Sequence, residues 1–149
     1  MPKTARLTEP DARVLESSEV NTRLAENKDG KKIKELVTSA GFNIDIPFDD
    51  IYPFWLVAEY ENEIVGCIQT CIGKPIGRVE MLAAKKSLPH RIHAIVVVQL
   101  LVTAINTLKE SGAVMASGVI PFSMKSYKRI LRRYGCVTFA TGNLMAKKL

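Results

Sequence analysis

In this 149-residue sequence, the segment whose residue types are best suited to binding a ligand is a basic loop between a predicted strand and a predicted helix. The loop, residues 85–94, contains Lys85, Lys86, His90 and Arg91, and a long apolar stretch follows it. Backbone N–H groups at a helix N-terminus bind phosphate well, because they lack partners within the helix and the helix dipole favours negative charge there. The pattern therefore predicts a phosphate-binding junction. The loop contains no glycine, the residue that best allows a backbone to approach phosphate closely.

Glu80 is a candidate general base, because it is the only acidic residue between positions 63 and 110. A carboxylate placed beside an ammonium group can accept its proton before the nitrogen attacks an electrophile. The competing interpretation is an ion pair between Glu80 and Arg78 or a lysine. His90 and His93 are candidates for a base or a phosphate contact, and the alternative is that they are exposed loop residues without a role.

Cysteine spacing and hydropathy exclude several classes of protein. Cys67, Cys71 and Cys136 predict neither a disulfide framework nor a metal site, because no further Cys or His lies at ligand spacing. We therefore expect reduced thiols and a cytoplasmic setting. The first residues contain no apolar run typical of a signal peptide. The apolar stretch 92–108 is interrupted by polar residues and is shorter than the ~20 residues of a membrane span, so we expect a buried helix and no membrane.

Charge is divided unevenly between the two halves of the chain. The net charge is +6, yet residues 1–71 hold 8 Lys/Arg against 13 Asp/Glu, whereas residues 72–149 hold 13 Lys/Arg against 2 Glu. A basic C-terminal half favours an anionic partner, which could be a phosphorylated cofactor, a nucleic acid or an acidic protein surface. The alternative is a solvated surface whose charge only aids solubility.

Periodicity and turn residues predict a polar N-terminal arm, residues 1–21, followed by a single domain, residues 22–149. The predicted strands are 22–25, 55–60, 64–72, 78–84 and 114–119, with one or two more in 136–140 and 143–147. The predicted helices are 29–40, 92–111 and 123–134, with a short helix or turn at 48–51. The helix 92–111 is apolar almost all round, so we expect one side to pack on a sheet and the other on a second element or another chain.

These segments resemble the GNAT N-acetyltransferase superfamily in order and in several stretches. The family's second and third strands, with their turn, resemble WLVAEYENEIVGCI, and its fourth strand resembles RVEMLAA. The end of its central helix resembles LVTAINTLKESGA, the helix after its fifth strand resembles SMKSYKRILRRYGC, and the chain closes with NLMAKKL. The resemblance implies an α/β fold that is GNAT-like (acyl-CoA N-acyltransferase), with a mixed, mostly antiparallel central sheet flanked by helices.

The resemblance also implies that acetyl-CoA lies where the fourth and fifth strands separate. The pantetheine would pair with the backbone of the strand 78–84, at Leu82, Ala83 and Ala84. The pyrophosphate would lie on backbone amides at the start of the central helix, from Arg91, Ile92, His93, Ala94 and Ile95. The family's loop is similar to R-x-x-G-x-G/A, whereas this chain has PHRIHA, residues 89–94, with His and Ile in place of the glycines. Lysine and arginine side chains in the loop would offset lost backbone contacts with charge.

The catalytic residues implied by the resemblance are Glu80 and Tyr127. Glu80, or a water that it holds, would be the base that deprotonates the amine. Many relatives use a Tyr near the end of the helix after the fifth strand as the acid, and an Asn near its start that touches the pantetheine. This chain has Leu131 and Met124 at those positions. Tyr127 lies one helical turn before Leu131 and is the remaining candidate for the acid.

Two hypotheses follow from the sequence. The first is an acetyl-CoA-dependent N-acetyltransferase that transfers an acetyl group to an unidentified amine-bearing substrate. The second is a non-catalytic GNAT-fold structural or adaptor protein, such as a phage virion-associated component, with a homo-oligomeric or assembly partner. A basic helical segment, 125–133, could contact nucleic acid, but no nucleic-acid motif supports that.

Overall fold

The computed structural model describes residues 19–42, 54–120, 124–138 and 142. Within these residues five strands form one sheet in the order β1-β2-β3-β4-β5. The strands are Val20–Leu24 (β1), Trp55–Tyr60 (β2), Glu63–Cys71 (β3), Ile76–Ala84 (β4) and Met115–Gly118 (β5). The α-helices are Gly30–Ser39 (α1), His90–Glu110 (α2) and Lys125–Arg133 (α3). The first four strands are antiparallel and β5 is parallel to β4, which confirms the predicted mixed, mostly antiparallel sheet flanked by helices.

The β2–β3 hairpin forms where alternating apolar residues flank a two-residue turn. Glu61 and Asn62 adopt left-handed backbone conformations, with φ of 51° and 63°. Turns with two left-handed residues match the twist of the flanking strands, and Asn tolerates that conformation well. The hairpin positions β3 beside β4, the strand that carries most of the candidate site.

Helix α2 packs closely on one face of the sheet, because glycines lie beneath it. A Cβ added at Gly66 would lie 2.5 Å from Val96 Cγ1, and one added at Gly77 would lie 2.7 Å from Leu108 Cδ2. By length and composition α2 could cross a membrane. Its side chains Val96 and Leu100 are nevertheless fully buried, as expected for the core helix of a globular domain.

Helix α1 covers the opposite face of the sheet. Its apolar residues Ile33, Leu36 and Val37 form a second buried cluster with Trp55 and Met81. The spacing of these residues places them on one side of the helix, as the sequence predicts. The sheet is therefore covered on both faces, and the residues that it exposes lie at its edges and strand ends.

The boundaries differ modestly from the sequence-based predictions. Strand β1 begins at Val20, within the predicted arm. Strand β4 begins at Ile76, two residues before the predicted start, because Ile76 and Gly77 pair with β5. Residues 136–138 form no regular secondary structure. The arm residues 1–18, the predicted turn at 48–51 and the predicted strand at 143–147 lie outside the described residues.

Candidate cofactor groove and acceptor face

Strands β4 and β5 pair over only part of their length. The parallel register runs from Ile76 opposite Met115 to Val79 opposite Gly118. The second half of β4, residues 80–84, continues beyond the last pair with β5. Strand β5 ends at Gly118, so the second half of β4 has no partner in β5.

A β-bulge in β4 lies directly after the last residue of β4 that pairs with β5. Gln69 of β3 pairs with Glu80 and Cys67 pairs with Ala83, so two residues of β4 lie opposite Ile68. One of them, Met81, has a φ of 53°, a left-handed conformation that is uncommon for a side chain of this size. A bulge bends its strand and increases the local twist, so we expect β4 to change direction directly after its last pair with β5.

The backbone of Ala84 faces the open edge of β4. The Lys85 N–H donates to the Val65 carbonyl at 2.7 Å, and Ala84 is opposite Gly66 in the same ladder. Because backbone groups alternate in direction along an antiparallel strand, Ala84 and Leu82 direct their N–H and C=O groups away from β3. Ala83 faces β3. Of the three residues predicted to pair with pantetheine, only Leu82 and Ala84 therefore direct their backbone groups away from β3, where a ligand could pair with them.

The first turn of α2 lies after this edge and presents backbone donors. The His93 N–H donates to the Pro89 carbonyl at 2.9 Å, which begins the helical ladder. The backbone N–H groups of His90, Arg91 and Ile92 have no acceptor within the helix, because the carbonyl four residues earlier lies outside it. The amides of His93, Ala94 and Ile95 are engaged in the ladder. Of the predicted phosphate donors, Arg91 and Ile92 are therefore placed to serve, and His90 joins them.

Two of the basic side chains at this junction, Lys85 and Arg91, are already paired with carboxylates. The Arg91 guanidinium donates to both oxygens of Glu19, at 2.9 and 2.8 Å. The Lys85 ammonium donates to both oxygens of Glu63, at 3.0 and 2.9 Å. These pairs hold the pKa values of the Glu19 and Glu63 carboxyls below their usual range. The positive charge expected from the loop is thus partly neutralised, and sequence separations of 72 and 22 residues hid both pairs from the sequence.

Tyr127, on α3, packs against the start of α2 and has only 7% of its surface exposed. Its ring stacks on the His93 ring, with centroids 6.0 Å apart. The Ala84 backbone N–H lies near its hydroxyl and lowers the pKa of Tyr127 slightly, against the larger effect of burial. Burial raises the pKa of Tyr127 to about 12, so the hydroxyl keeps its proton at physiological pH.

Glu80 and Tyr127, the predicted base and acid, lie at opposite ends of the second half of β4. Glu80 precedes the bulge, pairs with Gln69, and forms an ion pair with Arg78 at 3.6 Å. Tyr127 contacts Ala84 at the far end of the strand. Met124 and Leu131, at the two family positions on α3, pack against the core cluster that includes Tyr127.

Among the residues that the structure describes, the thiols and His93 form neither a reactive thiolate nor a metal site. Burial raises the pKa of the Cys67 and Cys71 thiols, so both remain protonated. Burial also lowers the pKa of His93, which disfavours its cationic form beside Tyr127. Among the described residues, no three of His, Cys, Asp or Glu group closely enough to hold a metal ion.

No family model matches the chain, and no curated protein matches it. Solved structures do match it. Diaminobutyrate acetyltransferase from Paenibacillus lautus, crystallised with its substrate and coenzyme A, is 21% identical with a TM-score of 0.66, over 79% of this chain and 75% of that one. An aminoglycoside N-acetyltransferase in complex with CoA is 12% identical with a TM-score of 0.68, over 89% of this chain and 97% of that one.

N-acetylglutamate synthase from Neisseria gonorrhoeae, with coenzyme A and N-acetyl-glutamate, is 13% identical with a TM-score of 0.64. That match covers 77% of this chain but only 28% of the synthase. The comparisons give no support to the expected phage setting. These matches, at TM-scores of 0.62 to 0.68, show that the chain has the fold of the GNAT N-acetyltransferase superfamily.

Proposed function

We propose that the protein is an acetyl-CoA-dependent N-acetyltransferase, with the cofactor along the open edge of β4 and the first turn of α2. The observation that carries the proposal is that β5 ends at Gly118, opposite Val79, so that Leu82 and Ala84 on the continuing strand β4 have no strand partner from β5. Their backbone groups fit the amide and carbonyl groups of a pantetheine arm. The CoA complexes among the structural matches support the same assignment.

The backbone amides of His90, Arg91 and Ile92 would hold the pyrophosphate. They lie at the N-terminus of a 21-residue helix, where the partial positive charge of the helix dipole is greatest. Arg91 would also reach a phosphate if it exchanged its partner Glu19 for the ligand. The exposed basic side chains of α3 add to the positive field on this side of the molecule: Lys125, Lys128, Arg129, Arg132 and Arg133.

Acetyl-CoA supplies the acetyl group as a thioester. Glu80 would take a proton from the acceptor ammonium, directly or through one water, so that the amine nitrogen can bond to the acetyl carbon. The carbon–sulfur bond breaks as the carbon–nitrogen bond forms, and the thiolate regains a proton to give CoA. Glu80 directly follows the last residue of β4 that pairs with β5, and its side chain is 17% exposed, so it can contact both solvent and an acceptor.

Titration calorimetry with acetyl-CoA tests the proposal, followed by transfer assays on a panel of primary amines. We expect saturable binding and amine-dependent release of CoA thiol. The variant Glu80→Gln should bind acetyl-CoA normally and transfer the acetyl group about 10²- to 10⁴-fold more slowly, the usual contribution of a general base. Glu110→Gln, exposed at the other end of α2, is the matched control and should retain both properties. No binding at millimolar ligand would contradict the proposal.

A non-catalytic adaptor is the second candidate, and a cluster of exposed apolar side chains at one end of the sheet favours it. Ile72, Ile76, Val114 and Met115 are each about half exposed or more, at 57%, 49%, 84% and 55%. Ile76 and Met115 are direct partners in the β4–β5 ladder, so the cluster is continuous. Light scattering should then show an oligomer that Met115→Glu converts to monomers. A monomer that binds acetyl-CoA would contradict this candidate.

A further inference from the structure

The outer face of helix α3 carries a continuous basic stripe. The stripe consists of five exposed cations at positions i, i+3, i+4, i+7 and i+8, which share one side of a helix: Lys125, Lys128, Arg129, Arg132 and Arg133. The apolar side chains of Tyr127, Ile130 and Leu131 pack against the core instead. Apolar contacts therefore hold α3 on the domain, and the basic stripe faces solvent.

The cations of the basic stripe have no carboxylate partner among the residues that the structure describes. At other positions, Arg23, Lys85 and Arg91 each form an ion pair with a carboxylate, at 2.7, 2.9 and 2.8 Å. Helix α3 itself contains no acidic residue. Its five charges are therefore available to an anion from outside the described part of the chain.

The basic stripe is unfavourable for α3 when no anion is bound. Like charges three and four residues apart on a helix repel each other, and Arg129 has Lys125 and Arg133 four residues away on either side. Lys125 also occupies the first position of the helix, where the helix dipole disfavours a cation. No side chain caps this N-terminus. A bound polyanion would remove the repulsion along the stripe.

The charge density of the basic stripe fits a nucleic-acid duplex. Eight helical rises of ~1.5 Å make the stripe about 12 Å long, which is one cation per about 2.4 Å. A DNA duplex carries one negative charge per ~1.7 Å of its axis. Only about a quarter of the residues in a typical protein are charged, and they are of both signs, so an acidic protein surface seldom reaches this density.

The other side of α3 argues against two alternative polyanions. Single-stranded nucleic acid is bound largely by stacking of its bases on aromatic side chains, but the one aromatic residue of α3, Tyr127, is buried. A helix that lies on a membrane inserts its apolar face between the lipids. The apolar face of α3 is packed against the core.

We propose that the basic stripe of α3 binds the phosphate backbone of a nucleic-acid duplex without reading its sequence. The proposal does not depend on acetyl transfer, because the stripe lies on the side of α3 opposite the Tyr127 ring and its partner His93. It assigns α3 an interaction surface separate from the open edge of β4.

Fluorescence anisotropy with a labelled DNA duplex of about 20 base pairs, in about 150 mM salt, tests the proposal. We expect a Kd of about 10⁻⁶–10⁻⁴ M that is the same for an unrelated sequence. The logarithm of the binding constant should fall against the logarithm of salt concentration with a slope of about −4.5 if all five cations contact phosphates.

The double variant Arg129→Gln/Arg132→Gln removes two central cations of the basic stripe. It should bind the duplex about 5- to 30-fold more weakly, with a salt slope shallower by about 2, because two phosphate contacts are lost. It should also unfold at the same or a higher urea concentration than the wild type, since the repulsion within α3 is reduced. Weaker binding together with unreduced stability excludes misfolding as the cause.

Lys31→Gln/Lys34→Gln is the matched control, because it lowers the net charge by the same two units at exposed positions of α1. It should retain the affinity and the salt slope of the wild type. Equal weakening in the two double variants would assign the binding to net charge alone and overturn the proposal. The proposal also fails if the duplex does not bind at millimolar protein, or if single-stranded DNA, polyglutamate or phosphatidylserine vesicles bind more tightly than the duplex.

Discussion

At the scale of single residues, one guanidinium connects β1, the residue before α1 and β2. Arg23 of β1 donates to Asp29 at 2.7 Å and to Glu59 of β2 at 2.8 Å. Asp29 is only 4% exposed and also accepts the Glu26 N–H at 2.7 Å. The same guanidinium holds the pKa of the Asp29 and Glu59 carboxyls below their usual range. The edge strand and the start of α1 are thus held in place by charge.

Arg23→Met should lower the free energy of unfolding at pH 7 by about 1–3 kcal/mol, because it leaves a buried carboxylate without its cation. Since both carboxyl pKa values are lowered by folding, the stabilisation is present above about pH 4 and is lost as the pH falls through the lowered values. Urea titrations from pH 2 to 7 should therefore show a shallower acid limb in the variant. Lys34→Met, at an exposed site on α1, is the control. Equal loss of stability in both variants would contradict this role.

The sequence predicted the candidate residues better than their contacts. Glu80 could be singled out because no other carboxylate is near it in the chain, and the structure places it where β4 leaves β5. The Arg91–Glu19 pair could not be predicted, because it depends on how β1 lies beside the start of α2. The resemblance points to Tyr127 by its place on the helix after β5, whereas its stacking on His93 depends on a tertiary contact that helical spacing does not contain.

At the scale of elements, the strands and helices were predictable where periodicity is local. The β2–β3 hairpin and α2 show clear alternation or helical spacing, and their observed bounds lie within two residues of the predicted ones. The bulge in β4 was not predictable, because Met81 is not a residue type that signals a left-handed backbone. That bulge, together with the short β5, creates the groove.

The docking of α2 on the sheet depends on Gly66, and its substitution tests this directly. In Gly66→Ala the new Cβ would lie 2.5 Å from Val96 Cγ1 and 3.3 Å from the Ala83 carbonyl oxygen. We expect a loss of about 1–3 kcal/mol in the free energy of unfolding, as for other overpacked cores. Thermal and urea unfolding should show it.

Two further variants separate crowding from other effects at this site. Gly142→Ala, where an added Cβ meets nothing within 4 Å, should be close to neutral. Val96→Ala should restore part of the stability when combined with Gly66→Ala, because it removes the atom that the new Cβ would contact. Strictly additive losses in the double variant would contradict the proposed contact.

At the scale of the whole molecule, two helices sandwich the sheet and the third lies by the groove. Four acidic residues of the first half pair with Arg23, Lys85 and Arg91, whereas the basic residues of α3 lie exposed. The charge asymmetry seen in the sequence is therefore a real surface feature on α3 but is partly neutralised at the start of α2. The fold leaves the second half of β4 without a β5 partner, next to the start of α2, and this is where we propose that acetyl-CoA binds.

The central claim is that acetyl-CoA binds along β4 and the first turn of α2. Titration of ¹⁵N-labelled protein with acetyl-CoA, followed by backbone amide chemical shifts, tests this claim most directly. We predict saturable shifts at Leu82, Ala84 and His90–Ile92, with the amides of α1 unchanged. Amide shifts that are absent at millimolar acetyl-CoA, or confined to the exposed basic face of α3, would contradict it.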